Sequence, residues 1–200
     1  CDGRGSALRQ AGPLPSVSEQ IRNGKTLYRN LRGADRFVAY FQTFTNTYAP
    51  VDRLTALYDE ALAQEDVIGL SVGTRPDCVP DEVLDLLASY AGTRHIWLEL
   101  GLQSIHPRTL RLINRGHGPE EFLNAVQRAA ARGLLVCVHL ILGLPGETRE
   151  AVLETVRVVS ELPIRGVKFH CLLALKGTRL GEMYERGDVR LWEREEYAAA

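Results

Sequence analysis

The stretch His139-Leu140-Ile141-Leu142-Gly143-Leu144-Pro145-Gly146-Glu147 decides the fold class of this 200-residue chain. The apolar residues up to Leu142 predict a buried strand, and the glycines and the proline that follow predict a tight turn. A helix is predicted to begin at Thr148. A buried strand that leads through a glycine-rich turn into a helix presents open backbone to a bound nucleotide-like group.

Short apolar runs alternate with amphipathic stretches from Arg36 onward. Strands are predicted at Phe37 to Gln42, Val67 to Gly73, His95 to Leu102, Leu135 to Leu142 and Gly166 to Leu173. Helices are predicted near Ser16 to Leu31, Val51 to Gln64, Pro80 to Tyr90, Pro119 to Arg132 and Thr148 to Glu161. Because the strands recur at the spacing of βα units, roughly 30–40 residues, a parallel sheet with crossover helices is expected.

Counting along each predicted strand in twos separates an apolar face from a polar one. The apolar face holds Phe37, Ala39, Phe41, Ile68, Leu70, Val72, Ile96, Leu98, Leu100, Val136, Val138, Leu140, Val167, Phe169 and Cys171. The polar face holds Tyr40, Gln42, Ser71, Gly73, Arg75, Glu99, Gly101, Gln103, Cys137, His139, Lys168 and His170. A sheet covered by helices on both sides is apolar on both faces, so the polar set predicts a wet cavity inside a curved, barrel-like sheet. Chemistry in parallel barrels gathers at the carboxyl ends of the strands.

The composition describes one ordinary folded domain over residues 1–200, with 45% hydrophobic and 24% charged residues. A net charge of -1 gives no overall attraction to nucleic acid or to an anionic membrane. No run approaches the roughly 20 apolar residues that span a bilayer, and no signal peptide is evident, so a cytoplasmic protein is expected. The four cysteines, at positions 1, 78, 137 and 171, lie far apart and are expected to be reduced.

Six blocks of sequence resemble, in order, successive motifs of one radical S-adenosylmethionine family. They are Cys1 to Ser6, Thr74 to Asp77, Glu99 to Ser104, Asn114 to His117, Leu140 to Glu147 and Lys176 to Thr178. The nearest match is a group of bacterial proteins whose core is similar to that of the Elp3 wobble-uridine enzymes. The resemblance covers nearly the whole chain. It implies an α/β fold, a partial (β/α)6 TIM-like barrel of parallel strands, whose first strand precedes Cys1 in a chain truncated at both ends.

The resemblance implies a 4Fe–4S cluster and S-adenosylmethionine as cofactors, with an electron donor such as flavodoxin or ferredoxin. The family holds its cluster with three cysteines in a Cys-x3-Cys-x2-Cys pattern, and Cys1 resembles the last of them. One thiolate cannot retain a cubane cluster, so these 200 residues alone are expected to lack the cluster and to be inactive. The alternative for Cys1 is a terminal thiol without a role.

The end of the third strand resembles the part of the family that contacts the ribose of the cofactor, through Glu99, Gln103 and Ser104. Arg75, with its bidentate guanidinium, would bind the methionine end of the cofactor or a substrate acid. A buried Glu99 needs a partner, so the structural alternative is a Glu99–Arg75 ion pair. Asp77 is an alternative local partner for Arg75.

The segment from Ile141 to Gly143 resembles the family's adenine-contacting strand, where glycine permits close approach of the backbone. Its structural alternative is a plain strand-to-helix turn. After the first predicted strand, the family often carries a Gly-Gly-Glu-like segment for the cofactor amino group. This chain departs from that pattern and leaves Gln42, Thr45 and Asn46 as the hydrogen-bonding candidates.

The leading hypothesis is reductive cleavage of S-adenosylmethionine to a 5′-deoxyadenosyl radical, with a tRNA wobble uridine as candidate substrate. Cys137, His139, Lys168 and His170 face the predicted cavity as core groups or as catalytic groups. A cluster-free barrel enzyme of aldolase type would instead use Lys168 as a Schiff-base amine beside His170. A non-catalytic RNA-binding module would use the basic segment of residues 1–36.

Overall fold

The computed structural model describes residues 15–200 and confirms the α/β class. Five parallel strands lie in chain order across one sheet: β1 (Phe37–Phe41), β2 (Val67–Thr74), β3 (His95–Gln103), β4 (Leu135–Leu142) and β5 (Gly166–Cys171). The sheet curls into a half-barrel, as expected for a partial TIM-like fold. Residues 1–14, including Cys1 and the first basic residues of the chain, lie outside the described part.

Helices lie between successive strands, before β1 and after β5. They are α1 (Val17–Arg32), α2 (Val51–Leu62), α3 (Asp81–Ala91), α4 (Pro107–Leu112), α5 (Pro119–Ala131), α6 (Arg149–Ser160), α7 (Arg179–Glu185) and α8 (Arg194–Ala199), with a 3-10 turn at Pro76–Cys78. The five helices predicted from sequence are all present, within two residues at each end. The three missed helices have only six or seven residues, which is too short for a periodic apolar pattern to show.

Capping residues fix both ends of α1 and the start of α6. Ser16 accepts a hydrogen bond from the backbone N–H of Glu19 at the start of α1, and Gly33 ends that helix at φ 63°. Thr148 caps α6 in the same way through the backbone N–H of Ala151. The last residue of the decisive stretch is therefore followed by a properly capped helix, as the sequence predicts.

The core lies between the convex face of the sheet and the helices α2, α3 and α5. Its strand residues are the predicted apolar set, including Leu70, Val72, Leu98, Leu100, Val136 and Val138, none of which is exposed. Tyr58, Leu84 and Phe122 fill the helix side of the same core and are equally buried. Each such side chain contributes roughly 1.5–3 kcal/mol by leaving water.

The convex face of β5 departs from this pattern. Val167 is 37% exposed and Phe169 is 52% exposed, and Cys171 on the same face is also exposed. The predicted apolar face is therefore not buried along its whole width, because no helix among residues 15–200 packs closely on β5. The strand itself ends at Cys171, two residues earlier than predicted.

Candidate functional site

Glu99 lies at the centre of the concave face. The sequence placed it at the end of a strand, but β3 continues to Gln103, so Glu99 is in mid-strand, opposite Gly73 of β2 and Cys137 of β4. Its side chain is buried. A carboxylate in this position needs hydrogen-bond donors from neighbouring strands.

Four strands supply those donors. Ser71 of β2 donates its hydroxyl hydrogen to Oε1 of Glu99. Oε2 accepts from Tyr40 Oη at 2.8 Å, Lys168 Nζ at 2.7 Å and His139 Nε2 at 2.5 Å. Six residues of the polar face predicted by counting in twos therefore form one connected network, which we call the bowl: Tyr40, Ser71, Glu99, His139, Lys168 and His170.

Glu99 and Lys168 form an ion pair. Burial alone would raise the pKa of Glu99, but the bonds from His139, Lys168, Ser71 and Tyr40 outweigh it and hold that pKa well below its usual value. Burial likewise lowers the pKa of Lys168, yet its bonds to Glu99 and Tyr40 raise it overall. Lys168 is thus held as an ammonium, which is not a nucleophile, and the geometry disfavours the aldolase-type Schiff base.

His170 of β5 extends the network. Its Nε2 lies 3.3 Å from Nδ1 of His139, and the two ring centroids are 5.0 Å apart. Burial lowers the pKa of His170, and the neighbouring His139 and Lys168 lower it further. His170 is therefore neutral around pH 7.

Arg75 does not reach the bowl. It makes two hydrogen bonds with Asp77, Nε to Oδ1 at 2.9 Å and Nη2 to Oδ2 at 2.5 Å, and also donates to the carbonyl of Gly116. The alternative of a Glu99–Arg75 ion pair is wrong, because Asp77 lies two residues away on the same turn. Although burial raises the pKa of Asp77, Arg75 lowers it overall.

Arg115 is the residue that sequence reasoning missed. It lies in the Asn114 to His117 block, and its Nε and Nη2 both donate to the carbonyl of Gly101, at 3.2 and 2.6 Å. Among residues 15–200, no carboxylate oxygen lies within 4 Å of its guanidinium nitrogens. Burial, and the nearby charge of Arg75, lower its pKa. The sequence did offer a signal for Arg115, because this arginine lies within one of the six blocks that resemble the family.

Gln103 lies beside Arg115 at the carboxyl end of β3. The strand register shifts between Gly101 and Gln103, and Gln103 adopts φ 76°, which is a strained conformation for a residue with a side chain. Its Oε1 is buried and has no hydrogen-bond partner in the described part of the chain. A side chain at position 101 would collide with both neighbours, since its Cβ would lie 2.5 Å from Arg115 and 2.8 Å from Gln103.

Ser104, the residue after β3, is tied to the end of the decisive stretch, and Gly143 lies close to Trp192 and Tyr197. The Ser104 hydroxyl donates to Glu147 and accepts from the backbone N–H of His106 at 3.0 Å. Gly143 has φ 75°, and a Cβ there would lie 3.1 Å from the Trp192 ring. These contacts give both residues a structural role, and a cofactor role for Ser104, Gly143 and Ile141 stays a prediction.

The segment after β1 links β1 to β2 through side-chain hydrogen bonds. Asn46 donates its side-chain amide to the carbonyl of Phe41 at 3.0 Å and to that of Gly73 at 2.8 Å. Gln42 is exposed and Thr45 is half-buried at the same edge of the sheet. Because the Asn46 amide hydrogens are engaged, only its oxygen is left to meet a ligand.

A separate cleft of about 880 Å³ lies outside the bowl, between the 3-10 turn and the first turns of α3 and α5. Its walls include Pro80, Glu82, Glu120 and Arg128, and no bowl residue lines it. In residues 15–200, no three His, Cys, Asp or Glu side chains are placed to hold a metal ion. The convergence of polar groups favours the bowl and the adjoining end of β3 as the functional site.

A curled sheet of parallel strands with a polar concave face defines the class of the parallel α/β barrels. Residues 8–159 match the family model described as the Radical SAM superfamily, and residues 164–200 match that of the Radical_SAM C-terminal domain. The chain therefore belongs to the radical SAM superfamily, as the six sequence blocks indicate.

Known relatives place the chain more closely. It is 43% identical to the Bacillus subtilis protein YtqA over 98% of the chain, and spans 61% of that relative's length. It is 32% identical to the tRNA uridine(34) acetyltransferase of Methanocaldococcus infernus over 67% of the chain and 25% of that relative. The structure of archaeal M. infernus Elp3 superposes with a TM-score of 0.76 at 24% identity, over 90% of this chain and 47% of that one, which confirms the fold. Within residues 15–200, no helix has both the length and the hydropathy needed to cross a membrane.

Proposed function

We propose that this protein is an enzyme that reductively cleaves S-adenosylmethionine with a 4Fe–4S cluster and removes a hydrogen atom from a substrate. One observation carries the proposal beyond family membership. At the carboxyl end of β3, the Arg115 guanidinium has no carboxylate partner and the buried Gln103 oxygen has no donor, among the described residues. Buried polar groups are normally paired and partly buried charges normally have a counter-charge, so these two groups favour a binding site at this end of β3.

The methionine end of the cofactor fits these two groups. Arg115 would pair with its carboxylate, and the Gln103 oxygen would accept from its amino group or from a ribose hydroxyl. This assignment moves the carboxylate from Arg75 to Arg115, because Asp77 already neutralises Arg75. Glu99 stays the proposed ribose contact, with Gln42, Thr45 and Asn46 as candidates near the amino group.

The bound cluster and cofactor together supply an electron and a 5′-deoxyadenosyl radical, and Cys1 is the proposed cluster ligand of this chain. The protein's own tasks are to orient the cofactor and to exclude water. Arg115 fixes the carboxylate end. The ion pair between Glu99 and Lys168 holds β3 and β5 at a fixed distance, so that the bowl keeps its shape while substrate binds.

A tRNA wobble uridine is the proposed substrate class, supported by the likeness to tRNA uridine(34) acetyltransferases. The basic helix α1 offers a phosphate-binding surface through exposed Arg22 and Arg32. Lys25 and Arg29 contribute less, because both pair with Asp66. Flavodoxin or ferredoxin is the proposed electron donor.

The test uses the full-length protein, reconstituted with iron and sulfide, reduced with dithionite and assayed for 5′-deoxyadenosine by mass spectrometry. Arg115→Ala should weaken S-adenosylmethionine binding about 10–100-fold, since a charge-assisted hydrogen bond contributes about 1.5–3 kcal/mol. Arg111→Ala, on the exposed side of α4, is the matched control and should bind normally.

Cluster-loaded protein that forms no deoxyadenosine would overturn the proposal. Salt-sensitive tRNA binding without cofactor cleavage would favour the RNA-binding module instead. Equal binding by Arg115→Ala and the control would leave the reaction standing but refute the carboxylate contact.

A further inference from the structure

A chain of hydrogen bonds runs from Glu99, which we call the floor of the bowl, toward the carboxyl ends of the strands, which we call its rim. Glu99 Oε2 and His139 Nε2 are 2.5 Å apart, and His139 Nδ1 and His170 Nε2 are 3.3 Å apart. The three residues lie on the adjacent strands β3, β4 and β5. Neither the two histidines nor their connection has a role in the function proposed above.

The register of the sheet places His170 at the rim. Gln103, the last residue of β3, is level with Leu140 of β4, which in turn is level with Phe169 of β5. His170 follows Phe169 and faces the concave side. It therefore stands one residue beyond the level of Gln103, two residues after Lys168 and four residues beyond the level of Glu99.

The chemistry of Glu99 fixes where the protons lie. Because the pKa of Glu99 is held low, its carboxylate is ionised and only accepts, so His139 Nε2 must carry a hydrogen. In the His139 tautomer with its hydrogen on Nε2, Nδ1 is an acceptor, and the hydrogen between the two rings then belongs to His170 Nε2. Neutral His170 is left with a lone pair on Nδ1, for which residues 15–200 provide no hydrogen-bond partner.

We propose that His170 Nδ1 accepts a proton from the substrate, and that His139 and Glu99 form the relay behind it. The inference rests on the proposed function, because it needs a substrate in the bowl. The substrate class is one with an O–H or N–H group next to the carbon that loses its hydrogen atom. Removal of that atom makes the neighbouring O–H or N–H more acidic, so a nearby base is useful at this step.

The step is a proton transfer and needs no oxidant or reductant of its own. The substrate O–H or N–H bond breaks, its electron pair stays on the heteroatom, and the hydrogen bonds to His170 Nδ1. The hydrogen on His170 Nε2 passes in turn to His139 Nδ1. The positive charge therefore ends on His139, directly beside the ionised Glu99.

The surroundings of His170 explain why a relay is needed. The charged or titratable groups facing it are His139 on β4, Lys168 on its own strand, and Glu99 of β3 with Tyr40 of β1 below them. The ammonium of Lys168 disfavours a lasting charge on His170. Transfer to His139 moves the charge from a site near a cation to a site in contact with an anion.

The first test needs neither cluster nor substrate. Nitrogen-15 NMR of the histidine rings in the full-length, cluster-free protein reports which nitrogen of His170 carries hydrogen. The expected result is hydrogen on Nε2 of His170 at neutral pH, and a mixture of tautomers in His139→Phe, where the acceptor is gone. Hydrogen on Nδ1 in the wild type refutes the relay. Should His139→Phe not fold, the wild-type spectrum alone decides.

The second test measures modified nucleoside formed per deoxyadenosine, with tRNA from cells lacking the gene as the probe. His170→Gln should lower this ratio about 100-fold, within the range of general acid–base catalysis, and should remove an inflection from its pH profile. Cys171→Ser, exposed on the opposite face of β5, is the matched control and should keep the wild-type ratio.

The outcomes separate the two claims. A wild-type ratio in His170→Gln overturns the catalytic role of His170 and leaves the proposed function intact. Absence of deoxyadenosine from the wild type overturns the proposed function, and the role of His170 with it, whereas the NMR result still decides the direction of the hydrogen bonds.

Discussion

Replacing Glu99 with Gln should destabilise the protein strongly. The side chain of Glu99 is 9% exposed, and the change would leave Lys168 and His139 without their counter-charge. Breaking a buried ion pair costs about 3–5 kcal/mol when the partner stays buried. The Lys168 side chain is 37% exposed and keeps part of its hydration, so we expect about 3 kcal/mol.

The measurement is urea unfolding of the cluster-free protein, which makes it independent of catalysis. A loss of about 3 kcal/mol corresponds to a fall of about 6–12 °C in melting temperature for a chain of this size. Lys168→Met removes the ammonium while keeping most of the stem. The double variant Glu99→Gln/Lys168→Met should then lose less than the sum of the single variants, with a coupling energy of about 1–2 kcal/mol.

Two results would contradict this reasoning. If Glu99→Gln is as stable as the wild type, the carboxylate is not the centre of the network. If the two single losses add, Glu99 and Lys168 do not interact, and the raised pKa of Lys168 has another cause. Cys171→Ser, at an exposed position, serves as the control for substitution in β5.

Three further outcomes are expected. Stability should depend on pH through Glu99: its contribution is complete above about pH 4.3, the value in the unfolded chain, and is lost as the pH falls through the lowered folded value. Urea midpoints taken down the acid range should therefore fall more steeply for wild type than for Glu99→Gln, and parallel curves would refute this. Gly69→Ala should lower the free energy of unfolding in urea by about 3 kcal/mol or more, because the new Cβ would lie 2.0 Å from the carbonyl oxygen of His95 and force β2 and β3 apart. Unchanged stability would contradict that packing. Gly143→Ala should cost about 1–3 kcal/mol, owing to φ 75° and the 3.1 Å approach to Trp192, and a melting temperature equal to wild type would refute it.

The layout of the bowl could be predicted because strand geometry is local. Side chains alternate along a strand, so Ser71, Glu99, His139 and Lys168 had to share a face once the strands were assigned. The apolar runs in turn fixed the strands, since only buried strands of a parallel sheet are apolar for so long. The partners of Glu99 within the bowl were not predicted, because the sequence shows which side chains share a face but not which of them meet.

What sequence reasoning missed depends on loops and on competition between partners. Arg75 was a reasonable partner for Glu99, because it was predicted on the same face and has the opposite charge. Asp77 is only two residues from Arg75, however, and pairing with it loses less conformational entropy. Arg115 follows a short helix that shows no periodic pattern, so its contact with the Gly101 carbonyl appears only once α4 folds back on β3.

The contrast between floor and rim is what locates a ligand. In the bowl, the Glu99 carboxylate accepts from four neighbouring strands, which ties all five strands together, and Lys168 balances its charge. Oε1 accepts only from Ser71, so it has a lone pair left for the proposed ribose hydroxyl. At the rim, Arg115 carries a charge and Gln103 an acceptor that the described chain does not satisfy. Folding alone would not select a half-buried guanidinium without a counter-charge beside a buried oxygen without a donor, because both cost stability. We therefore expect the cofactor at the rim and the substrate against His170, with the floor serving as the rigid base of the site.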